Sequence, residues 1–162
     1  MTLLPPDVQA WLDQEDERTA QIIRQYGVYI EYVHGEPRRR LPAFAYTVGL
    51  FGLRHPELLI FDLSPGSAAG VLNRLAEDVW SGANLLPQQE IEREGGEKPF
   101  ILEEVTNPGE IVFAANRYYQ RPAEASVPVF QLTHADDAGR YPWQKGYARP
   151  AWRQPRPGRF RA

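Results

Sequence analysis

The stretch AFAYTVGLFGLRHPELLIFDL, residues 43–63, decides the fold of this chain. Its two ends, AFAYTVGL at 43–50 and LLIFDL at 58–63, are apolar on both faces. Runs of that kind are typical of central strands that are covered on each side. Only short connections join successive strands here, so we predict antiparallel pairing rather than a helical crossover.

Helices are predicted on both sides of this stretch. Residues 6–26 carry apolar side chains at helical spacing, and Gly27 can end that helix in a left-handed conformation. A Ser-Pro pair starts a second apolar pattern that predicts a helix over 65–80. Asn107 opens the sequence NPGE, which either begins a third helix, IVFAANRYYQ, or forms a simple turn.

Further strands are predicted from the residues outside these helices. They cover VYIEYV at 28–33, PFILEEV at 99–105 and ASVPVFQLTH at 125–134. The order is helix, three strands, helix, strand, helix, strand and tail. The sequence therefore predicts the α+β class, with a mainly antiparallel sheet of about five strands flanked by three helices.

The composition limits the chemistry. The chain has 162 residues and no cysteine, which suits one domain and excludes disulfides, thiolate zinc sites and cysteine nucleophiles. The first residues lack a basic start and a long apolar run, and no stretch has the length of a membrane span. We therefore expect a cytoplasmic protein that makes no membrane contact.

The charge is divided unevenly along the chain. Six of the 18 basic residues lie at 145–162 with no acid, so the other 12 stand against 21 acidic residues, a net charge of −9. We predict a single α+β domain over 1–147 and a basic, Pro/Arg-rich tail over 148–162 that is extended and mobile. The tail could bind single-stranded nucleic acid, contact a partner or lie on its own acidic domain. Charge favours self-docking, because nucleic-acid domains usually have a basic face as well.

Several segments together resemble one family. They are FAYTVGL at 44–50, HPELLIFDL at 55–63, AGVLNRLAEDVWSGA at 69–83, a tyrosine pair at 118–119 and VPVFQLTHADDAGRYPW at 127–143. In this combination, over residues 17–147, the chain resembles the bacterial domain-of-unknown-function family 4262. The resemblance implies a small cytoplasmic α+β domain and brings no activity with it. The residues that match its pattern are Tyr46, Thr47, Gly49, His55, Pro56, Glu57, Gly139, Pro142 and Trp143, whereas members usually have a tryptophan followed by Pro-Asp where this chain has His134-Ala135-Asp136.

Candidate pocket residues lie at the end of the second predicted strand. Alternation places Tyr46 on one face and Thr47 and Gly49 on the other. Glycine within a strand allows another backbone or a ligand to come close, so Thr47 could offer a hydroxyl at the floor of a pocket. The structural alternative is that Gly49 marks a bulge and that Tyr46 belongs to the core.

The loop after that strand contains His55-Pro56-Glu57. Either titratable side chain could act as a general base once burial has tuned its pKa. A zinc deaminase site is excluded, because it needs cysteine ligands. The structural alternative is a turn fixed by Pro56, with Glu57 capping backbone groups or pairing with an arginine. Trp143 could wall the same pocket.

His134, Asp136 and Asp137 form a weaker candidate, a site for a metal ion held by imidazole and carboxylate groups. Two adjacent aspartates can bind one ion only from a loop. The structural alternative is a tight turn, in which aspartate bonds to its own backbone and Gly139 takes a positive φ.

The sequence contains no complete catalytic constellation, and we predict no cofactor. The leading hypothesis is a binding domain that recognises a protein or a small ligand. The alternative is an enzyme, a hydrolase or acid–base catalyst with a pocket near Thr47, His55, Glu57 and Trp143. Nucleic-acid association through the tail is a third hypothesis. Exposed aromatic side chains would also favour a homodimer.

Overall fold

A computed structural model describes residues 4–162 of the chain. Within that range the protein has three α-helices packed on a six-stranded sheet. The helices are α1 (Pro6–Tyr26), α2 (Pro65–Trp80) and α3 (Phe113–Tyr118), and the strands are β1 (Tyr29–Val33), β2 (Phe44–Val48), β3 (Glu57–Phe61), β4 (Glu90–Ile91), β5 (Phe100–Glu104) and β6 (Val129–Thr133). The predicted α+β class and the three helices are confirmed.

The sheet differs from the predicted one in two respects. Its order is β1-β2-β3-β6-β5-β4, and all neighbours are antiparallel except β3 and β6, which run parallel. The prediction of about five strands was wrong, because the two-residue strand β4 lies in a segment predicted as a loop. The parallel pair arises because α2, β4, β5 and α3 lie between β3 and β6 in the chain, and a long connection lets the strand return in the same direction.

The two faces of the sheet build separate cores. On one face α2 packs its apolar stripe, including Leu72 and Leu75, against Leu58, Phe130 and Leu132. The other face, with Phe44, Tyr46 and Phe61, packs against α3 and the chain around it. This alternation explains why β2, β3 and β6 are buried along their whole length.

Helix α1 is attached differently. It begins with proline, ends at Gly27 in the left-handed conformation as predicted, and has no buried residue. Ile23 near its C-terminal end packs on the second core, while Trp11 in its N-terminal half is 59% exposed. The helix therefore lies over the edge of the sheet and does not fill a core.

The predicted helix after Asn107 is shorter than expected. Residues Pro108–Glu110 form one 3-10 turn, and α3 begins at Phe113. The Asn107 side chain does not cap this turn, because its amide donates to a carboxylate oxygen of Glu110 and to the carbonyl of Phe160. The simple turn is the alternative that the structure supports.

Residues 148–162 lie against the rest of the chain. Arg149 pairs with Asp62 at 2.8 Å, and Arg156 makes a two-pronged pair with Glu103 at 2.7 and 2.6 Å. The Phe160 ring packs edge-on against Phe44, with 5.3 Å between the ring centroids. The prediction of a mobile tail was wrong, since acidic and apolar groups of the body meet complementary groups on the tail.

Candidate functional site

Glu57 is the centre of a closed polar cluster at the start of β3. Its carboxylate accepts four hydrogen bonds, from the Thr47 hydroxyl at 2.9 Å and from the backbone N–H groups of Gly49 at 3.1 Å, Leu50 at 2.9 Å and Phe51 at 3.1 Å. The side chain has no exposed surface. A carboxylate surrounded by donors in this way pins the turn after β2, and each of its oxygens already accepts two bonds.

The protonation of Glu57 reflects two opposing effects. Burial raises its pKa to about 6, because a charge without water around it is costly, while the four donors act in the opposite direction. Glu57 is therefore ionised at neutral pH and remains buried. The Thr47 hydroxyl that donates to it also accepts the backbone N–H of Leu58 at 2.9 Å, so both hydrogen-bonding functions of Thr47 are used.

Gly49 and Tyr46 have the structural roles that were weighed at the outset. Gly49 has a φ of 135°, and a Cβ atom there would lie 3.0 Å from the carbonyl oxygen of Gly27. The close partner of this glycine is therefore another part of the backbone. Tyr46 lies on the opposite face, where its hydroxyl accepts the backbone N–H of Ala114 at 3.0 Å.

His55 faces a different segment from Glu57. Its Nδ1 lies 2.7 Å from the carbonyl oxygen of Pro56, and its Nε2 lies 3.2 Å from the backbone nitrogen of Leu85. A neutral imidazole fits both contacts, with Nδ1–H donating to the carbonyl and Nε2 accepting from the amide. The ring thus ties the loop after β2 to the chain that follows α2.

Trp143 lies apart from this group. Its ring stacks on Tyr141 with 4.9 Å between the centroids, and the Arg156 guanidinium lies 4.8 Å from its centroid. Thr47, Gly49 and Glu57 are therefore brought together, whereas Trp143 and the imidazole of His55 belong to other contacts. None of these five residues lines the cavities described below.

The metal candidates are separated by their hydrogen bonds. His134 Nε2 lies 2.8 Å from the carbonyl oxygen of Phe61, and burial lowers the pKa of its imidazole. Asp136 accepts the backbone N–H groups of Ala138, Arg140 and Ala148, which hold its pKa below the usual range. Among residues 4–162 no group of three or more histidine and acidic side chains is arranged to hold a metal ion. The tight-turn alternative describes these contacts, and Gly139 has the expected positive φ of 82°.

A polar cavity of about 370 Å³ lies beside His134. Its lining includes three basic and three acidic side chains, which balance one another, namely Arg93, Lys98, Arg149, Glu97, Asp136 and Asp137. Arg93 pairs with Glu97 at 2.6 Å, so part of this charge is already neutralised within the wall. The cavity therefore offers no clear preference for a ligand of either sign.

A larger cavity of about 570 Å³, called here the α1 cavity, lies beneath the N-terminal half of α1. Its wall comes from α1, β1, β2, α3 and Ala162. Six aromatic side chains line it, namely Trp11, Tyr29, Phe44, Tyr46, Phe113 and Tyr118. Concave sites of this size that are mostly apolar, with a few polar groups, are typical places for small ligands.

The charged groups of the α1 cavity are unequal. Asp16 and Arg117 neutralise each other, since the guanidinium nitrogen Nε donates to both carboxylate oxygens at 2.7 and 3.0 Å. Glu31 accepts one bond, from the Tyr29 hydroxyl at 2.7 Å. Glu15 makes no side-chain hydrogen bond or ion pair within residues 4–162. Two carboxylates in the wall thus have no cationic partner.

The family model for a domain of unknown function, DUF4262, matches residues 22–148. The chain belongs to the DUF4262 family. No curated protein and no solved structure matches it. No helix within residues 4–162 is long and apolar enough to cross a membrane.

The DUF4262 match includes only part of the α1 cavity. Residues from β1, β2 and α3 lie inside the matched range, and the α1 residues Trp11, Leu12, Glu15, Asp16 and Thr19 lie before it. The closed cluster around Glu57 lies wholly inside. The half of the cavity that carries Trp11 and Glu15 is thus outside the part of the chain that defines the family.

Sequence reasoning missed the α1 cavity, although one signal for it was present. In VYIEYV, strand alternation places Tyr29, Glu31 and Val33 on one face, and all three line the cavity. An acid between two apolar residues on one face of a strand indicates a wall that is partly wet. The residues that complete the wall come from α1 and α3, whose packing the sequence does not reveal.

Proposed function

We propose that this chain is a cytoplasmic ligand-binding domain whose α1 cavity takes a small apolar molecule that carries a positive charge. The single observation that carries the proposal is the aromatic wall with two carboxylates, Glu15 and Glu31, that no cation neutralises. Neither carboxylate belongs to the closed cluster at Glu57, where every acceptor is already used.

The apolar part of the ligand follows from the wall. A volume of about 570 Å³ suits a molecule of drug-like size, and burial of apolar surface there contributes about 25 cal/mol per Å². Trp11 and Phe113 are more than half exposed, so the cavity opens to water between α1 and α3. A ligand that covered these rings would remove apolar surface that the protein alone leaves wet.

The charged part follows from the carboxylates. An amine placed near Glu31 would gain a charge-assisted hydrogen bond, and aromatic faces such as those of Tyr29 and Phe44 attract cations as well. An anionic ligand would instead face two acids of its own sign. We therefore place an ammonium group at the β1 side of the cavity and the apolar body under α1.

The test uses three probes with one apolar body and different charges: 4-phenylbutylamine, 4-phenylbutanol and 4-phenylbutyrate. We expect calorimetry to give the order amine, alcohol, acid, with about tenfold between the first two, the size of one charge-assisted bond. Native mass spectrometry of freshly purified protein would show any ligand that is carried along. Equal affinity for all three probes, or none at millimolar concentration, would overturn the proposal.

Two matched pairs of variants locate the binding. Ala114→Phe fills the cavity from α3 and should abolish binding of every probe, whereas Ala10→Phe on the exposed face of α1 should leave binding unchanged. Glu31→Gln should remove the preference for the amine over the alcohol. Glu104→Gln, an exposed acid of β5 outside the cavity, should preserve that preference.

A further inference from the structure

A second cavity, of about 640 Å³, lies between the turn after β1 and the C-terminal residues. We call it the tail cleft. Arg40 and Pro42 line one side, and residues between 142 and 160 line the rest. Its floor includes Gln154, whose buried amide donates to the carbonyl of His134 and accepts the His134 N–H, both at 2.8 Å. These paired bonds fix the tail, so the cleft is formed before any ligand arrives.

The charge of the tail cleft is one-sided. Four arginines line it, and its lining has no acidic residue. Arg149 and Arg156 are already neutralised by acids outside the lining. Arg40 and Arg159 make no ion pair or side-chain hydrogen bond with any residue from 4 to 162. Two guanidinium groups are therefore left for a ligand, and their planar donors fit the oxygens of phosphate.

Aromatic groups share the cleft with these arginines. Trp152 and Tyr147 are half-buried in its wall, and the Arg153 guanidinium lies 5.4 Å from the Trp152 ring. The Tyr147 hydroxyl accepts a bond from Gln154 at 2.9 Å, and its own proton has no acceptor within the described part of the chain. A flat indole ring can stack on a nucleobase, which contributes about 1–3 kcal/mol.

The other tail cations argue against a long nucleic-acid strand. Arg149 and Arg153 both lie within 4.0 Å of Asp62, Arg156 pairs with Glu103, and Arg161 lies 3.3 Å from Glu110. Binding of a strand needs a continuous basic track of free cations. The ion pairs interrupt such a track and leave one local site.

We propose that the tail cleft binds a nucleoside phosphate, with Arg40 and Arg159 on the phosphate and Trp152 stacked on the base. This site is independent of the α1 cavity, and its failure would leave the proposed function untouched. Most of its lining lies beyond residue 148, where the family match ends, so the site belongs to this chain rather than to the family as a whole. The same chemistry occurs at the end of an RNA strand, which the test separates.

Calorimetry on the full chain with AMP, adenosine and inorganic phosphate tests the proposal. We expect AMP to bind at least about tenfold more tightly than either fragment, because only AMP engages both the arginines and the tryptophan. A tetra-adenylate with a 5′-phosphate should bind no better than AMP. Tighter binding of the tetranucleotide, equal binding of phosphate alone, or no AMP binding at millimolar concentration would overturn the proposal.

Variants separate the two parts of the site. Arg40→Gln and Arg159→Gln should each weaken AMP about tenfold without lowering the melting temperature. Arg38→Gln is the matched control, because Arg38 is an exposed neighbour that does not line the cleft. Trp152→Leu should bring AMP close to phosphate alone. An equal loss in the Arg38 variant would show general charge attraction and contradict the proposal.

Discussion

Two carboxylates, Glu57 and Glu31, mark the difference between a satisfied site and an open one. Glu57 is buried, accepts four hydrogen bonds and lines none of the cavities described here. Glu31 is half-buried, accepts one bond from a tyrosine and faces a cavity of about 570 Å³. The residue that looked more chemical in the sequence is the one with no acceptor left. A polar side chain can act on a ligand only where the fold leaves part of its bonding capacity unused.

The largest expected effect comes from Glu57→Gln. The amide nitrogen would stand where one oxygen now accepts two donors, so those donors would lose their partner in a buried place. We expect a loss of about 3 kcal/mol in the free energy of unfolding at pH 7, measured by urea denaturation. Glu104→Gln, on the exposed end of β5, should change it by less than about 0.5 kcal/mol. A small effect at Glu57 would mean that the closed cluster does not stabilise the fold.

Thr47→Val should have the next largest effect. Valine has the same shape but neither donates to the Glu57 carboxylate nor accepts the Leu58 N–H. We expect a loss of about 2 kcal/mol, because a buried donor and a charged acceptor both lose a partner. Thr47→Ser keeps the hydroxyl and should recover most of that loss. If serine and valine were equally destabilising, the lost methyl contacts would outweigh the hydrogen bonds.

The pH dependence of stability gives the third test. The folded pKa of Glu57 is raised from 4.5 to about 6, so folding favours its protonated form. This contribution is fully present below about pH 4.5 and is lost as the pH rises through 6, a change of about 2 kcal/mol. The wild-type protein should therefore gain stability relative to Glu57→Gln as the pH falls from 7 to 4.5. A difference between the two proteins that does not change with pH would contradict the raised pKa.

The smallest effect on stability is expected at Glu31. Glu31→Gln should change the free energy of unfolding by less than about 0.5 kcal/mol, since only one bond from Tyr29 is altered at a partly wet surface. The same variant should weaken binding of 4-phenylbutylamine about tenfold. A change in binding without a change in stability is the opposite of what Glu57→Gln should give. Equal effects of both variants on stability would remove the contrast between the two sites.

Much of the fold could be predicted because it depends on local pattern. Gly27 ends α1, Ser64 caps α2 with its side chain, and alternation divides β2 and β6 between two faces. The parallel pairing of β3 with β6 could not be predicted, because the partner of a strand across a long connection depends on how the whole sheet closes. The two-residue strand β4 has too few residues for a pattern.

The candidate site shows the same limit more strongly. The sequence placed Thr47, Gly49 and Glu57 together, and they do meet, but the four bonds that saturate Glu57 involve backbone N–H groups that no side-chain pattern announces. Trp143 was expected beside them and instead stacks on Tyr141. The α1 cavity needs α1, β1 and α3 at once, and no single segment contains its chemistry.

The sequence by itself determined the class of the fold, the ends of two helices, the faces of the central strands and the absence of thiol chemistry. These follow from the covalent chain, because residue type and spacing fix local conformation and which side of an element is apolar. Only the tertiary structure decided which polar groups are satisfied, where the arginines of the tail find acids, and where a cavity remains. Those outcomes depend on distances between segments far apart in the chain, and burial and pairing of charge are set by those distances.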